Sequence, residues 1–419
     1  MFRRASASIV IVLLLAVCVY SIWQLMPGWT TANPAPHEAA QEEDSSQSEQ
    51  ISDAGQHNSQ APQDLHKQSP ITDASESARD PQESSEVSDP SESGQLTEMS
   101  DQPEPLPEVK LALVGDIMLG GRIDGLLRQH GFDYPYLHVG DTLRAADIAA
   151  GNLENPITDR GDPEDKQYTF RTHPDAVAGM VEGGFDVFNL ANNHTLDYGL
   201  IGMRDTMTHL SEAGLGYMGA GENDEQAFRP HIVKKHGMRI DFLGFTNVVP
   251  HIGWKAEKDQ PGLAETYNHT RAVEAIARSE EEADLVVVFV HWGIERQETP
   301  EPYMIEKARR YIDAGADLVV GSHPHVLGGI ESYKDKWIAY SLGNFIFTVN
   351  PTAPSKDSAI LQANCTAGGD CALSLVPVVT GVGQPVLATP EEGEAIFKRI
   401  SLLSIGAEVN PLGEVVRLE

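Results

Sequence analysis

Cysteine is nearly absent from this chain: three occur in 419 residues, at positions 18, 365 and 371. Two cysteines outside the N-terminal apolar run provide too few soft ligands for a zinc site of their own. Basic residues are scarce as well, 30 Lys and Arg against 62 Asp and Glu, for a net charge of −32. That balance excludes nucleic acid as a partner, because its phosphates demand a basic face. It also opposes nonspecific attraction to anionic lipid or polyanions, leaving room only for a local basic pocket. A third scarcity is regional. Residues 33–108 have few aromatic or β-branched side chains and carry 18 acidic residues against two basic ones, Lys67 and Arg79. Such a stretch buries too little apolar surface to offset its ordering entropy, so it reads as a disordered tether. As a flexible coil its ends would lie roughly 50 Å apart.

What is present begins with an apolar run at residues 9–25, preceded by Arg3 and Arg4 and free of charge. Its length is just enough to cross a bilayer, and the basic flank keeps the N-terminus cytoplasmic. Ser21-Ile22-Trp23-Gln24-Leu25 lacks the small-residue pattern of a cleavage site, and Val17 before Cys18 disfavours lipidation. An uncleaved signal anchor is the reading chosen over both. The expected organisation is a cytoplasmic stub at 1–8, a transmembrane anchor at 9–26, an acidic linker at 27–108, a folded domain at 109–350, and a C-terminal extension at 351–419 packing on that domain. The folded part would then lie outside the cytoplasm. In an oxidising compartment Cys365 and Cys371, flanking a Gly-rich turn, would close a hairpin by a disulfide.

In the folded region apolar runs alternate with helical patterns. Residues 110–114, 185–190, 285–290 and 318–320 read as buried strands. Met304, Ile305, Ala308, Tyr311 and Ile312 share a helix face that ends at Gly315. Another helix covers 205–210, a hairpin spans 231–246, and a last helix covers 391–401. Strands alternating with helices predict a mixed α/β sheet core with helices outside.

Chemistry collects at the strand ends. Successive apolar runs lead into Gly115-Asp116, Gly151-Asn152-Leu153-Glu154, Asn192-Asn193-His194, His291-Trp292-Gly293 and Gly321-Ser322-His323-Pro324-His325. Ligands of open α/β sheets bind beyond the carboxyl ends of the strands. Imidazole, carboxylate and amide together suit a divalent ion such as manganese, iron, zinc or cobalt. Singly, Gly115-Asp116 reads more readily as a turn or cap, and His291 is equally a core histidine. His323-Pro324-His325, two imidazoles flanking a rigid residue, is the sharpest signal.

These motifs, with Tyr340-Ser341-Leu342-Gly343-Asn344-Phe345, resemble the CapA (poly-γ-glutamate capsule) family in order from residue 111 to about 348. The resemblance implies a four-layer αββα sandwich of the calcineurin-like metallophosphoesterase type, with a dinuclear centre in the wider superfamily. Asp116 matches its first aspartate, but Met118 stands where a histidine would, and Gly151-Asn152 where Gly-Asp would, with Glu154 the nearest carboxylate. Asn193, His194, His291, His323 and His325 match the rest. The implied site is Asp116, Glu154, Asn193, His291, His323 and His325 around one or two divalent transition ions (Mn, Fe or Zn). His194 would be the general acid or orienting group. Arg171 would clamp a carboxylate or phosphate, and Asn344 would line the site.

Two functions follow from the resemblance. One is a membrane-tethered role in poly-γ-glutamate synthesis or export beside integral-membrane capsule partners. The other is a metal-dependent hydrolase acting on a phosphoester or amide of the polymer or envelope.

Overall fold

The computed structural model describes residues 106–348 and 353–418. The expected anchor and all but the last three residues of the linker lie outside them. No helix among the described residues is long and apolar enough to cross a membrane.

Two mixed sheets carry the fold. In the larger, β1 (Glu108–Ile117), β2 (Ile148–Leu153), β3 (Val187–Asn189) and β4 (Gly216–Met218) run parallel. On the other side of β1 the sheet continues antiparallel through β14 (Asp357–Thr366), β15 (Cys371–Thr380) and β16 (Pro385–Leu387). A short strand, β13 (Asn344–Ile346), pairs parallel with the far end of β1. The smaller sheet has the order β11 (Ile330–Tyr333), β12 (Lys336–Ala339), β10 (Leu318–Ser322), β9 (Leu285–His291), β7 (Met238–Thr246), β6 (His231–Lys235). Its central strands β12, β10, β9 and β7 are parallel. Two further ladders join β5 (Ala220–Gly221) to β8 (Gly262–Leu263) and β17 (Ala407–Val409) to β18 (Val415–Arg417).

The alternation of side chains along a strand explains why these runs are apolar throughout. In β9, Leu285, Val287 and Phe289 enter the core between the sheets, while Val286, Val288 and Val290 enter a second core under helices. In β1, Leu111 and Leu113 face the inter-sheet core, and Ala112 and Val114 face the opposite way. The outer face of the larger sheet is covered by α1 (Arg122–His130), α2 (Gly140–Arg144), α3 (Ala176–Gly183) and α4 (Gly199–Glu212). The outer face of the smaller one is covered by α5 (Asp224–Ala227), α6 (Thr270–Glu280) and α7 (Pro302–Asp313). Helix, sheet, sheet, helix is therefore the order of layers. Each fully buried Leu, Val or Phe in these cores contributes about 1.5–3 kcal/mol, and Phe289→Ala would cost about 3–5 kcal/mol.

The mixed α/β expectation is borne out. Met304, Ala308, Tyr311 and Ile312 bury one face of α7, which starts at Pro302 and is followed by Gly315 at φ +110°. The expected hairpin is β6–β7, turning through His236 and Gly237 at φ +52° and +81°. Strand β3 is shorter than the expected 185–190, because Phe185 packs sideways on Tyr136 and Phe188 instead of pairing. The residues after the second gap join the same sheet through β14 and β15, and Cys365 is disulfide-bonded to Cys371 across that hairpin. The last helix, α8 (Pro390–Leu403), starts in a Thr389–Glu392 capping box and buries Ile396 and Ile400 in the inter-sheet core.

Candidate metal centre

Strand β1 changes neighbours where it becomes polar. As far as Leu113 it pairs with β14; from Asp116 it pairs with β13. The switch needs glycine at 115, because a Cβ there would lie 2.0 Å from the Gly343 carbonyl oxygen. The Asp116 amide donates to that same oxygen at 2.9 Å. Register then places Asn344, Asp116, Asn152 and Asn189 side by side across four strands. In the other sheet His291 ends β9 beside Ser322 of β10. The two rims meet: Asn152 Nδ2 donates to Asp116 Oδ1 at 2.9 Å and lies 3.2 Å from His291 Nδ1, while the His323 amide donates to Asp116 Oδ2 at 3.2 Å.

His323 and His325 sit in the left-handed region, at φ +94° and +57°. Backbone there costs about 1–3 kcal/mol per residue and persists only where the surroundings fix it. The two turns flank Pro324 and bring both imidazoles to the rim, which glycines could do without strain but without a ligand.

The cluster is buried. Asp116, Glu154 and His291 are inaccessible to solvent, and His323 is 5% exposed. His325 Nδ1 lies 3.1 Å from Asp116 Oδ2 and 2.9 Å from Asn344 Oδ1. His291 Nε2 lies 2.8 Å from Asn193 Oδ1 and 3.4 Å from Glu154 Oε1, and its Nδ1 is held 3.0 Å from Ser322 Oγ. Glu154, His291 and His323 offer ligand atoms within 4.8 Å of one another, as do Asp116, Glu154 and His325. One carboxylate is thus common to two overlapping triads.

Burial pushes the Glu154 carboxyl well above the usual carboxylate range, and the Asp116 charge adds to the effect. Burial, with neighbouring His323 and His325, takes His291 well below the ordinary imidazole value. Burial and His325 bring His323 down to about 3. For His325 burial opposes the charged ring, but Glu154 and Asp116 outweigh it and raise it to about 9. Two imidazoles are therefore neutral, the form in which histidine ligates.

The fit to a cation can be judged from unmade bonds. Both Glu154 carboxylate oxygens and His323 Nδ1 are buried and have no hydrogen-bond partner. Leaving such groups unsatisfied costs about 1–3 kcal/mol each, and more for a charge. A divalent ion held by Glu154, His291 and His323 would give Glu154 and His323 a partner they lack, so the residues present are compatible with a metal site.

His194 stands beside this cluster. Its Nδ1 lies 2.7 Å from Asp197 Oδ2 and 3.2 Å from Lys166 Nζ, and its ring packs on Phe170. Lys166 also donates to the Asn193 carbonyl oxygen at 2.6 Å and to Asp197. Burial lowers both His194 and Lys166 from their ordinary values.

The structure therefore brings together Asp116, Glu154, Asn193, His291, His323 and His325, with Asn344 bonded to His325 and His194 adjoining. Arg171 is not joined to them: it donates to the Arg160 carbonyl oxygen and lies over the Tyr198 ring, 4.4 Å from its centroid. Sequence reasoning missed Asn189, Lys166 and Asp197, and gave Asn192 a place in a motif but no role of its own. Asn189 and Asn192 both donate to Asn152 Oδ1, at 2.9 and 3.3 Å, and so orient its amide toward Asp116 and His291. Asp197 lies three residues past His194, a spacing that could have pointed to it; nothing in the sequence around Lys166 marks it.

The profile of the family described as bacterial capsule synthesis protein PGA_cap matches residues 110–349, which hold every residue of the cluster. The chain belongs to that family. It is similar to the capsule biosynthesis protein CapA of Bacillus anthracis, 37% identical over 286 residues covering 66% of this chain and 69% of that protein. It is equally similar to the PGA biosynthesis protein CapA of Bacillus subtilis (strain 168), 37% identical over 64% of this chain and 70% of that protein. A probable polyglutamine synthesis accessory protein of Mycobacterium tuberculosis (strain CDC 1551 / Oshkosh) is 32% identical over 48% of this chain and 56% of its own length. The CapA resemblance of the motifs is thus confirmed, and with it membership of a family whose named proteins serve capsule and PGA biosynthesis.

Proposed function

We propose that this PGA_cap protein acts in the synthesis or export of poly-γ-glutamate through a divalent transition-metal site (manganese, iron or zinc). In this reading the anchor at 9–26 and the acidic linker at 27–108 hold the domain at the outer face of the membrane, beside integral-membrane capsule partners. One observation carries the site: the buried, unpartnered Glu154 oxygens facing His291, in a cluster with the unpartnered His323 Nδ1. The names of the relatives support the role, and the resemblance of the motifs to the metallophosphoesterase type supports the chemistry.

Glu154, His291 and His323 would hold one ion, and Asp116, Glu154 and His325 a second. Such an ion supplies Lewis acidity toward a phosphoryl or amide oxygen. The chain's own residues then have distinct parts. Asp197 holds His194 by Nδ1, which leaves Nε2 as the nitrogen free to give or take a proton at a leaving group. Asn152 fixes Asp116 and His291 together. Lys166 ties the Asn193–His194 turn to Asp197. The His194–Asp197 pair is what favours a second reading, a hydrolase acting on a phosphoester or amide of the envelope, over a purely structural ion.

The test is elemental analysis of the full-length chain purified in detergent, beside a His323→Ala, His325→Ala double variant. Near-stoichiometric metal in the parent and its loss in the variant is the expected result. Absence of metal from the parent even after loading with manganese or zinc overturns the proposal. Turnover of phosphoester and γ-glutamyl substrates by the loaded parent separates the hydrolase from a static ion.

A further inference from the structure

A second feature lies beside the cluster, on the other side of β9. Lys307 projects from α7 and is 6% exposed. Its ammonium donates to Asn247 Oδ1 and to the Thr266 carbonyl oxygen, both neutral acceptors. No ion pair within 4.0 Å joins it to a carboxylate among the described residues. The acidic groups that act on it, Glu265 and Glu306, favour its charged form from beyond ion-pair distance; the Glu265 carboxylate accepts from the Tyr267 amide, and Glu306 is paired with Arg310 at 2.8 Å. Burial lowers Lys307 to about 8, which still leaves it largely charged at neutral pH. It is thus a buried cation whose direct contacts among the described residues are neutral oxygens rather than a carboxylate.

The lysine opens into a hollow of about 300 Å³ lined also by Asn247, Tyr267, His269, Tyr303, Arg310 and the Arg310-paired Glu306. Tyr303 Oη accepts from the Gly293 amide at 2.8 Å, and Tyr267 Oη from the Val249 amide at 3.4 Å, so each O–H remains for another acceptor. An ammonium with three donors and two acceptors filled has one N–H left. The hollow is tied to the cluster by the backbone: the Asn247 amide donates to the His291 carbonyl oxygen at 2.7 Å. A neutral ligand adds no charge balance to the ammonium, whereas a carboxylate can accept from the lysine and from the tyrosine hydroxyls that line the hollow.

We propose that Lys307, Tyr303 and Tyr267 form a carboxylate-binding subsite that seats a free carboxylate of a γ-linked glutamate chain while a neighbouring unit lies at the Glu154–His291 cluster. This rests on the function proposed above for the cluster and adds the recognition of its substrate.

The experiment measures binding of a synthetic γ-linked glutamate decamer to the full-length chain by calorimetry, with metal content determined on the same samples. Lys307→Met is compared with Tyr303→Phe and Tyr267→Phe, which remove a hydroxyl and keep the ring. The expected result is a loss of about ten- to a hundredfold in decamer affinity for Lys307→Met, and a smaller loss for each tyrosine variant, with metal unchanged. Should Lys307→Met not fold, the two tyrosine variants decide. Decamer binding that is absent from the parent, or equal in the parent and all folded variants, overturns the subsite. Inorganic phosphate displacing the decamer at equal concentration overturns its carboxylate assignment in favour of a general anion site. Absence of metal from the parent strikes at the cluster instead, and a Lys307-dependent decamer affinity would survive it.

Discussion

Asp116 accepts hydrogen bonds from Asn152 and from the His323 amide and lies 3.1 Å from His325; Glu154, equally buried, accepts none. The two carboxylates belong to overlapping triads, yet their neighbours treat them differently. The Asp116 half pairs a carboxylate in direct contact with an imidazole that Glu154 and Asp116 together keep charged up to about pH 9. The Glu154 half sets a carboxyl beside His291 and His323, which burial keeps neutral, with the charged His325 ring at 3.8 Å and no hydrogen bond to it. One half is complete as a protein structure. The other is complete only with a cation, and so should dominate metal affinity while the first dominates the stability of the metal-free fold.

The strongest way to break this contrast is Glu154→Gln. It removes the carboxylate common to both triads and should weaken metal binding by at least about a hundredfold, as judged by equilibrium dialysis with manganese or zinc. After chelation the same variant should melt no lower than the parent, because a buried carboxyl that accepts no hydrogen bond has been replaced by a neutral group. A lower melting temperature would mean Glu154 is satisfied without metal.

Next comes the pair of histidine truncations. In metal-free protein His325→Ala strips Asp116 of its imidazole and should cost about 3 kcal/mol in urea unfolding. His323→Ala should cost visibly less, since its ring nitrogen Nδ1 has no partner to lose. Equal costs would erase the distinction between the halves.

The pH dependence sharpens it further. His325 is raised from 6.5 to about 9, so its contribution to metal-free stability is complete below pH 6.5 and lost as pH rises toward 9. His323 is lowered from 6.5 to about 3, so its contribution is present above pH 6.5 and lost as pH falls toward 3. Chelated protein should therefore lose roughly 2 °C or more of melting temperature on each side of pH 6.5. His325→Gln should flatten the alkaline limb and His323→Gln the acid limb. The smallest effect is expected from Asp197→Asn. It removes the carboxylate that favours protonated His194, so the His194 midpoint in an NMR titration should fall further, with metal content unchanged.

Much of this site was legible because its residues sit where apolar strands stop. His323-Pro324-His325, His291 and Asp116 are each set off by a run of buried neighbours, and period and polarity suffice to find them. The layers were legible for the same reason, since a strand such as 285–290 that is apolar throughout must be covered on both faces. What escaped was long-range. Lys166 lies in a polar loop and reads as a surface lysine; it is half-buried where Asp197, 31 residues later, folds back on it. Asn189 falls inside an otherwise apolar run, and its bond to Asn152 depends on strand register. Arg171 is the converse case: its guanidinium has the right chemistry for an anion, but it lies over the Tyr198 ring and bonds the Arg160 carbonyl oxygen rather than joining the cluster. The exchange of β14 for β13 along β1 turns on the approach of Gly115 to Gly343, which no local pattern announces.

The same exchange sets a clock. Strand β1 finds β2 within a few dozen residues of synthesis, but its other neighbour, β14, begins only at Asp357. At ordinary elongation rates the backbone groups of Glu108–Leu113 wait roughly 12–50 s for their partners. Until then they form a bare edge open to pairing with any passing strand. A fragment cut at residue 349, where the family match ends, would keep every cluster residue and never close that edge. Its failure would be aggregation, and it would precede any question of metal.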